Sequence, residues 1–148
     1  MKSKICIIAS DFYPKITNKL IEGAISKLKL KKIYSYQLIK VPGTFEIPVV
    51  LSNLINKYDA FILLGCVIKG ETPHFIYLCS SVFESIINIS VEFKKPVANG
   101  ILTCENQKQA RKRADPQKID KGGNAADAAI SLLRIIKWTT RKFYKTRE

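Results

Sequence analysis

Four short apolar runs rich in β-branched residues alternate along the chain with longer stretches of helical period. The runs, about Lys4 to Ala9, Tyr34 to Val41, Phe61 to Ile68 and Pro96 to Leu102, predict strands. Between the first two, Ile16, Leu20, Ala24 and Leu28 recur every four residues, which predicts one buried helix face. After the second run, Ile47, Val50, Leu51, Leu54, Ile55 and Tyr58 keep helical spacing, and Phe75, Leu78, Cys79, Val82, Phe83, Ile86 and Phe93 do the same after the third. A short helical stretch, about Glu105 to Ala114, and a last helix, about Asn124 to Arg141, complete the series. Near-continuously apolar strands alternating with helices predict an α/β fold. The expected form is a three-layer α/β/α sandwich around a four-stranded parallel sheet, joined by right-handed crossovers. Ligands of such folds bind beyond the carboxyl ends of the strands. Those ends deliver "SDFYP", "VPGTFEIP", "GCVIKGETPHF" and "NGILTCEN".

Length and composition narrow this picture. A chain of 148 residues fits one domain, 1–148, with a real core. The longest apolar runs, "AFILLGCVI" and "ICIIA", fall short of the roughly 20 residues that cross a membrane, so no membrane span is expected. "MKSKICIIASDFY" has too short an apolar stretch for a signal peptide, and a cytoplasmic location is expected. The four cysteines are scattered, without a CxxC pair, which predicts neither metal nor disulfide. The net charge of +13 raises the question of nucleic acid, most of all at "QKQARKR" and in the tail from Arg134 to Glu148. Lysine greatly outnumbers arginine, isoleucine is abundant, and no recognition motif accompanies the charge. A generally basic composition explains that better than a nucleic-acid-binding function does.

The strand ends carry the candidate chemistry. Gly70 permits a sharp turn after the third strand, and the N–H groups of Glu71 and Thr72 then open toward a helix start, where an anion is favoured. A plain capped turn is the simpler reading of Gly-x-Thr by itself. His74 is the chain's one histidine, and imidazole moves protons near neutral pH; a structural histidine remains equally open. Gly43 frees the backbone beside Thr44, Phe45 and Glu46 for a ligand's close approach, or simply makes a strand-to-helix turn. Phe12 follows the first strand, where a ring can stack on a flat heterocycle; core packing is the better reading of that residue alone.

Taken in order, these segments resemble the 6,7-dimethyl-8-ribityllumazine synthase family of riboflavin biosynthesis. "VPGTFEIP" is similar to the family's Gly-(Ala/Ser)-aromatic-Glu-(Ile/Leu)-Pro motif, and "YDAFILLGCVIKGETPHFIY" to its third strand and histidine loop. "PVANGILT" and "QARKRAD…KGGNAADAAISLL" follow at the family's spacing. The resemblance implies a flavodoxin-like fold and a transferase. Its reaction condenses 5-amino-6-(D-ribitylamino)uracil with 3,4-dihydroxy-2-butanone 4-phosphate, with release of phosphate and water and without a cofactor or metal.

By the same resemblance Phe12 stacks on the pyrimidine, Thr44, Phe45 and Glu46 hold the ribityl chain, and Cys66, Val67 and Ile68 line the ring pocket. Glu71 and Thr72 bind the ketose phosphate, His74 moves protons, and Arg113 reaches the phosphate from a neighbouring subunit, with Lys121 nearby. The family forms homopentamers, and in some members sixty-subunit icosahedral shells. Several positions depart from its pattern. Tyr13 stands for Asn, Asp11 for Arg, Asn99 for a Phe that lines the neighbour's pocket, Asp115 for Gly, and Asn124 for an acidic residue. Loss of the ring at 99 is worth about 1 to 2 kcal/mol of apolar contact. The alternative is a noncatalytic relative that only binds ligand or builds a shell. Retention of Thr72, His74, Arg113 and "GTFE" together argues against it.

Overall fold

The computed structural model describes residues 2–144; the last four residues of the basic tail lie outside them. Four strands, β1 (Ile5–Ser10), β2 (Tyr36–Val41), β3 (Ala60–Ile68) and β4 (Val97–Cys104), form one parallel sheet in the order β2-β1-β3-β4. This is the flavodoxin-like arrangement. β1 and β3 are central and take helices on both faces, which is why their sequences are apolar without alternation.

The two faces carry separate cores. On one, Ile5, Ile7, Ile62 and Leu64 pack against α1 (Pro14–Leu30) and α5 (Lys121–Tyr144). On the other, Cys6, Ile8, Phe61 and Leu63 pack against α2 (Ile47–Leu54) and α3 (His74–Phe93). α4 (Gln107–Ala114) follows β4 and begins at a reciprocal cap. Asn106 Oδ1 accepts from the Gln109 N–H at 2.9 Å, and Gln109 Oε1 accepts from the Glu105 N–H at 2.9 Å.

Two elements differ from the sequence pattern for tertiary reasons. α2 stops at Leu54, although the pattern runs on to Tyr58. The chain turns there so that the Asp59 carboxylate can accept the Lys4 N–H at 2.7 Å, tying the starts of β1 and β3 together. α5 starts at Lys121 and includes two glycines that read as loop. Asp120, with φ of 50°, turns the chain, and its Oδ1 accepts from the Gly123 N–H at 3.0 Å. α5 then lies so close to α1 that a Cβ at Gly122 would fall 2.0 Å from the Leu20 carbonyl oxygen. Further along, Lys27 and Lys31 both pair with Asp127 across the two helices, at 2.9 and 4.0 Å. Finally, α3 is 20 residues long with a mean hydropathy of 1.3, long and apolar enough by length and composition alone to cross a membrane, a property that helices packed on a protein core share. Its Cys79, Val82 and Ile86 face the sheet, while Ile76, Tyr77, Ile87 and Val91 are exposed.

The α1–α5 contact gives a direct test. Gly122→Ala gains helix propensity of up to about 1 kcal/mol, but its methyl meets main chain that cannot rotate away. The expected result is a net loss of about 1 to 3 kcal/mol, read from the urea midpoint at unchanged m-value. An unchanged midpoint would contradict the close approach.

Candidate active site

The chain leaves β1 for β2 on one side and returns through α2 to β3 on the other. The connections after β1 and β3 therefore diverge, and a crevice opens at the carboxyl ends where the strand order switches. A cavity of about 610 Å³ occupies it. Phe12 and Tyr13 come from the end of β1, Pro42 to Glu46 from the end of β2, and Cys66 to Ile68 from β3. Gly70, Thr72, His74, Phe75 and Leu78 complete the wall from the following turn and α3.

The floor rests on buried hydroxyls. Ser10 Oγ and Thr44 Oγ1 lie 3.3 Å apart, and the Thr17 hydroxyl donates to the Ser10 carbonyl at 2.7 Å. All three are buried, and this bond fixes the 3₁₀ turn Thr44–Glu46 against the end of β1. Gly65 makes room for it, since a Cβ there would lie 2.4 Å from Ser10 Oγ. Above the floor, Phe12 and Phe45 are each 67% exposed, so Phe12 is a rim residue and not the core residue its sequence context alone suggests. Tyr13 meets Phe12 edge to face at a centroid distance of 5.0 Å.

At the far wall, His74 opens α3 and is exposed; its N–H donates to Thr72 Oγ1 at 3.4 Å. The N–H groups of Glu71 and Thr72 have no protein partner among the described residues, which leaves donors free for an anion beside the cavity. Gly70 does not take the left-handed conformation, and a Cβ there would meet open space. The turn is instead held by the Lys69 N–H, which donates to the Cys104 carbonyl at 2.9 Å. Cys66 presents a neutral thiol to the cavity, because burial pushes it up to about 12.

Of the residues singled out from the sequence, Phe12, Thr44, Phe45, Glu46, Cys66, Val67, Ile68, Thr72 and His74 all line this one cavity. Glu71 stands exposed on the adjoining turn. Asn99 and Arg113 do not line it. Asn99 is exposed on β4, and its Oδ1 accepts from the Ile101 N–H at 3.0 Å. Arg113 lies on α4, where Nη1 donates to the Gln109 carbonyl at 3.4 Å and its charge acts on Cys104. Ser10 and Thr17 were not legible as site residues. Phe75 and Leu78 carry no signal separating them from core positions, and Tyr13 stands out in the sequence only as a departure from the family's Asn.

A parallel α/β protein with a mixed aromatic and polar cleft at its strand-order switch is a binder of small organic molecules. Residues 2–137 match the 6,7-dimethyl-8-ribityllumazine synthase family. The chain is 40% identical over 131 residues to the protein of that name from Streptomyces coelicolor, covering 86% of this chain and 81% of the relative. It is 39% identical over 140 residues to the one from Bartonella tribocorum, covering 92% and 91%. A third, from Cutibacterium acnes, is 37% identical over 135 residues, covering 90% and 81%. The chain belongs to the 6,7-dimethyl-8-ribityllumazine synthase family.

The buried thiols fix a pH dependence. Cys6 and Cys66 are both pushed up to about 12 by desolvation. An unfolded thiol ionises near 8.5, so above that pH the unfolded chain loses protons that the folded chain keeps. Their contribution to stability is full below about pH 8.5 and falls as pH rises toward 12. Cys66→Ala should therefore show a shallower alkaline loss of urea stability than the parent chain. Parallel curves above about pH 9 would contradict a buried, neutral thiol.

Proposed function

We propose that this chain is the lumazine synthase of riboflavin biosynthesis, joining 5-amino-6-(D-ribitylamino)uracil to 3,4-dihydroxy-2-butanone 4-phosphate with release of phosphate and water. The carrying observation is that Thr44, Phe45, Glu46, Thr72 and His74, from two segments distant in sequence, line one cavity in a member of this family. In this reading the pyrimidine stacks on Phe12 against Cys66, Val67 and Ile68, with its ribityl chain along Thr44 to Glu46. The phosphate lies on the free N–H groups of Glu71 and Thr72, and His74 returns protons as phosphate leaves and the second ring closes. The imine forms on the substrate's own amine, so no catalytic lysine, metal or organic cofactor takes part.

The assembly belongs to the same reading. Arg113 and Asn99 stand off their own cavity, as they would if they served a neighbour's. The exposed apolar side of α3 supports packing between copies, because Ile76, Tyr77, Ile87 and Val91 otherwise face water. A homopentamer satisfies both. Four buried free thiols suit the cytoplasm's reducing conditions.

A steady-state assay with both substrates, read by lumazine absorbance, tests the reaction; a rate no higher than the spontaneous condensation would refute it. His74→Ala should lower turnover by about 10²- to 10⁴-fold over that background while substrate binding changes little. Full turnover would remove the acid–base role. Arg113→Lys replaces a planar fork with a point charge. It should raise the Michaelis constant for the ketose phosphate and leave that for the pyrimidine nearly unchanged. Equal weakening of both, or of neither, counts against a phosphate contact. Sedimentation at micromolar concentration should show at least a pentamer, and an active monomer would sink the shared site.

A further inference from the structure

The cations of this chain are unevenly placed once it folds. In a parallel sheet every strand starts at the same end, and here several bonds tie those starts together. The Ile5 N–H donates to the Ser35 carbonyl at 3.0 Å, and the Asp59 N–H to the Lys4 carbonyl at 2.8 Å. Lys95 Nζ donates to the Tyr58 carbonyl at 2.9 Å, and Lys137 Nζ to Ser3 Oγ at 2.9 Å. This end, opposite the active site, gathers Lys2, Lys4, Lys29, Lys32, Lys57 and Lys94, all exposed. None of the six is ion-paired with a carboxylate of the described residues, whereas Lys31 at the same end pairs with Asp127 and Lys19, Lys27 and Lys40 pair with carboxylates as well. Lysines in a last helical turn complement the helix dipole, which accounts for Lys29. It does not account for Lys2 and Lys4, which lead into a strand.

A second cavity, of about 460 Å³, opens in the middle of this charge. Tyr34, Tyr36 and Tyr58 line it together with Lys4, Lys57 and Gln37. Tyr34 is 69% exposed, and the Tyr58 hydroxyl is held by a hydrogen bond to Gln37 Oε1. The exposed Tyr34 ring offers a flat face to a base, the partly buried Tyr36 and Tyr58 rings wall the recess beside it, and the flanking ammonium groups offer charge to the phosphates. That pairing of aromatic platform and cationic rim is how single strands are held without sequence reading. The recess is concave and edged by hydroxyl, amide and ammonium groups. A lipid surface calls for protruding apolar side chains instead.

We propose that the end of the sheet opposite the active site docks single-stranded nucleic acid, with a base among Tyr34, Tyr36 and Tyr58 and phosphates on Lys4 and Lys57. The proposal is independent of the synthase reaction. Fluorescence anisotropy of a labelled oligo(dT) of about 12 nucleotides with the full chain tests it. With these two phosphates engaged, affinity should fall roughly sevenfold between about 50 and about 200 mM salt. Tyr34→Ala should weaken binding about tenfold at fixed salt and leave the salt slope alone. Lys4→Gln and Lys57→Gln should each lower that slope by about 0.7. Lys112→Gln, on α4 at the other end, should change nothing, and lumazine formation should persist in all four variants and so report an intact fold. No binding at low salt overturns the proposal. So do parent-like affinity in Tyr34→Ala, equal loss in Lys112→Gln, and displacement of the oligonucleotide by phosphatidylserine vesicles, which would assign the surface to a membrane.

Discussion

The reversal of strand order between β1 and β3 is the constraint from which the rest follows. β1 is central, and all six of its residues are buried, so the chain can leave it only over the ends of the sheet. With β2 on one side and β3 on the other, the two exits cannot close over each other. The gap they leave is the larger cavity, and the segments forced to border it are those with the aromatic, hydroxyl and imidazole groups.

Keeping that gap in shape requires close approach in two places. At the cavity floor, the absence of a Cβ at Gly65 lets Ser10 and Thr44 meet, so the turn after β2 is fixed by a buried hydrogen bond and not by apolar contact alone. On the opposite face, Gly122 lets α5 settle against the backbone of α1. Asp120 and Asn106 set where α5 and α4 begin, and so fix the direction in which Arg113 leaves the sheet. Arg113 stands outside the lining of its own cavity, with Nη1 donating to the Gln109 carbonyl of the same helix.

The two ends of the sheet have different chemistry. The carboxyl ends bring helix N-termini and free N–H groups around a recess lined largely by apolar and aromatic side chains, suited to a small phosphorylated substrate. The opposite end collects lysines around tyrosines. α3 spans the distance between them with a second apolar face that the single chain leaves in water.

The sequence determined by itself what depends on local pattern. The four strands, the helical faces of α1 and α3, and the assignment of "GTFE" and His74 to strand ends all follow from periodicity and from the position of turns. Family likeness in contiguous motifs then supplied the chemistry, because those motifs are short and local. Only the tertiary structure decided what depends on approach between distant segments. It put Gly122 inside a helix, stopped α2 at Leu54, made Phe12 a rim residue, buried Ser10 and Thr17 beneath the cavity, and set Asn99 and Arg113 outside it. It also turned a diffuse excess of lysine into a charged end. A one-dimensional pattern records which face of an element is apolar, but not which backbone will come within van der Waals distance of it.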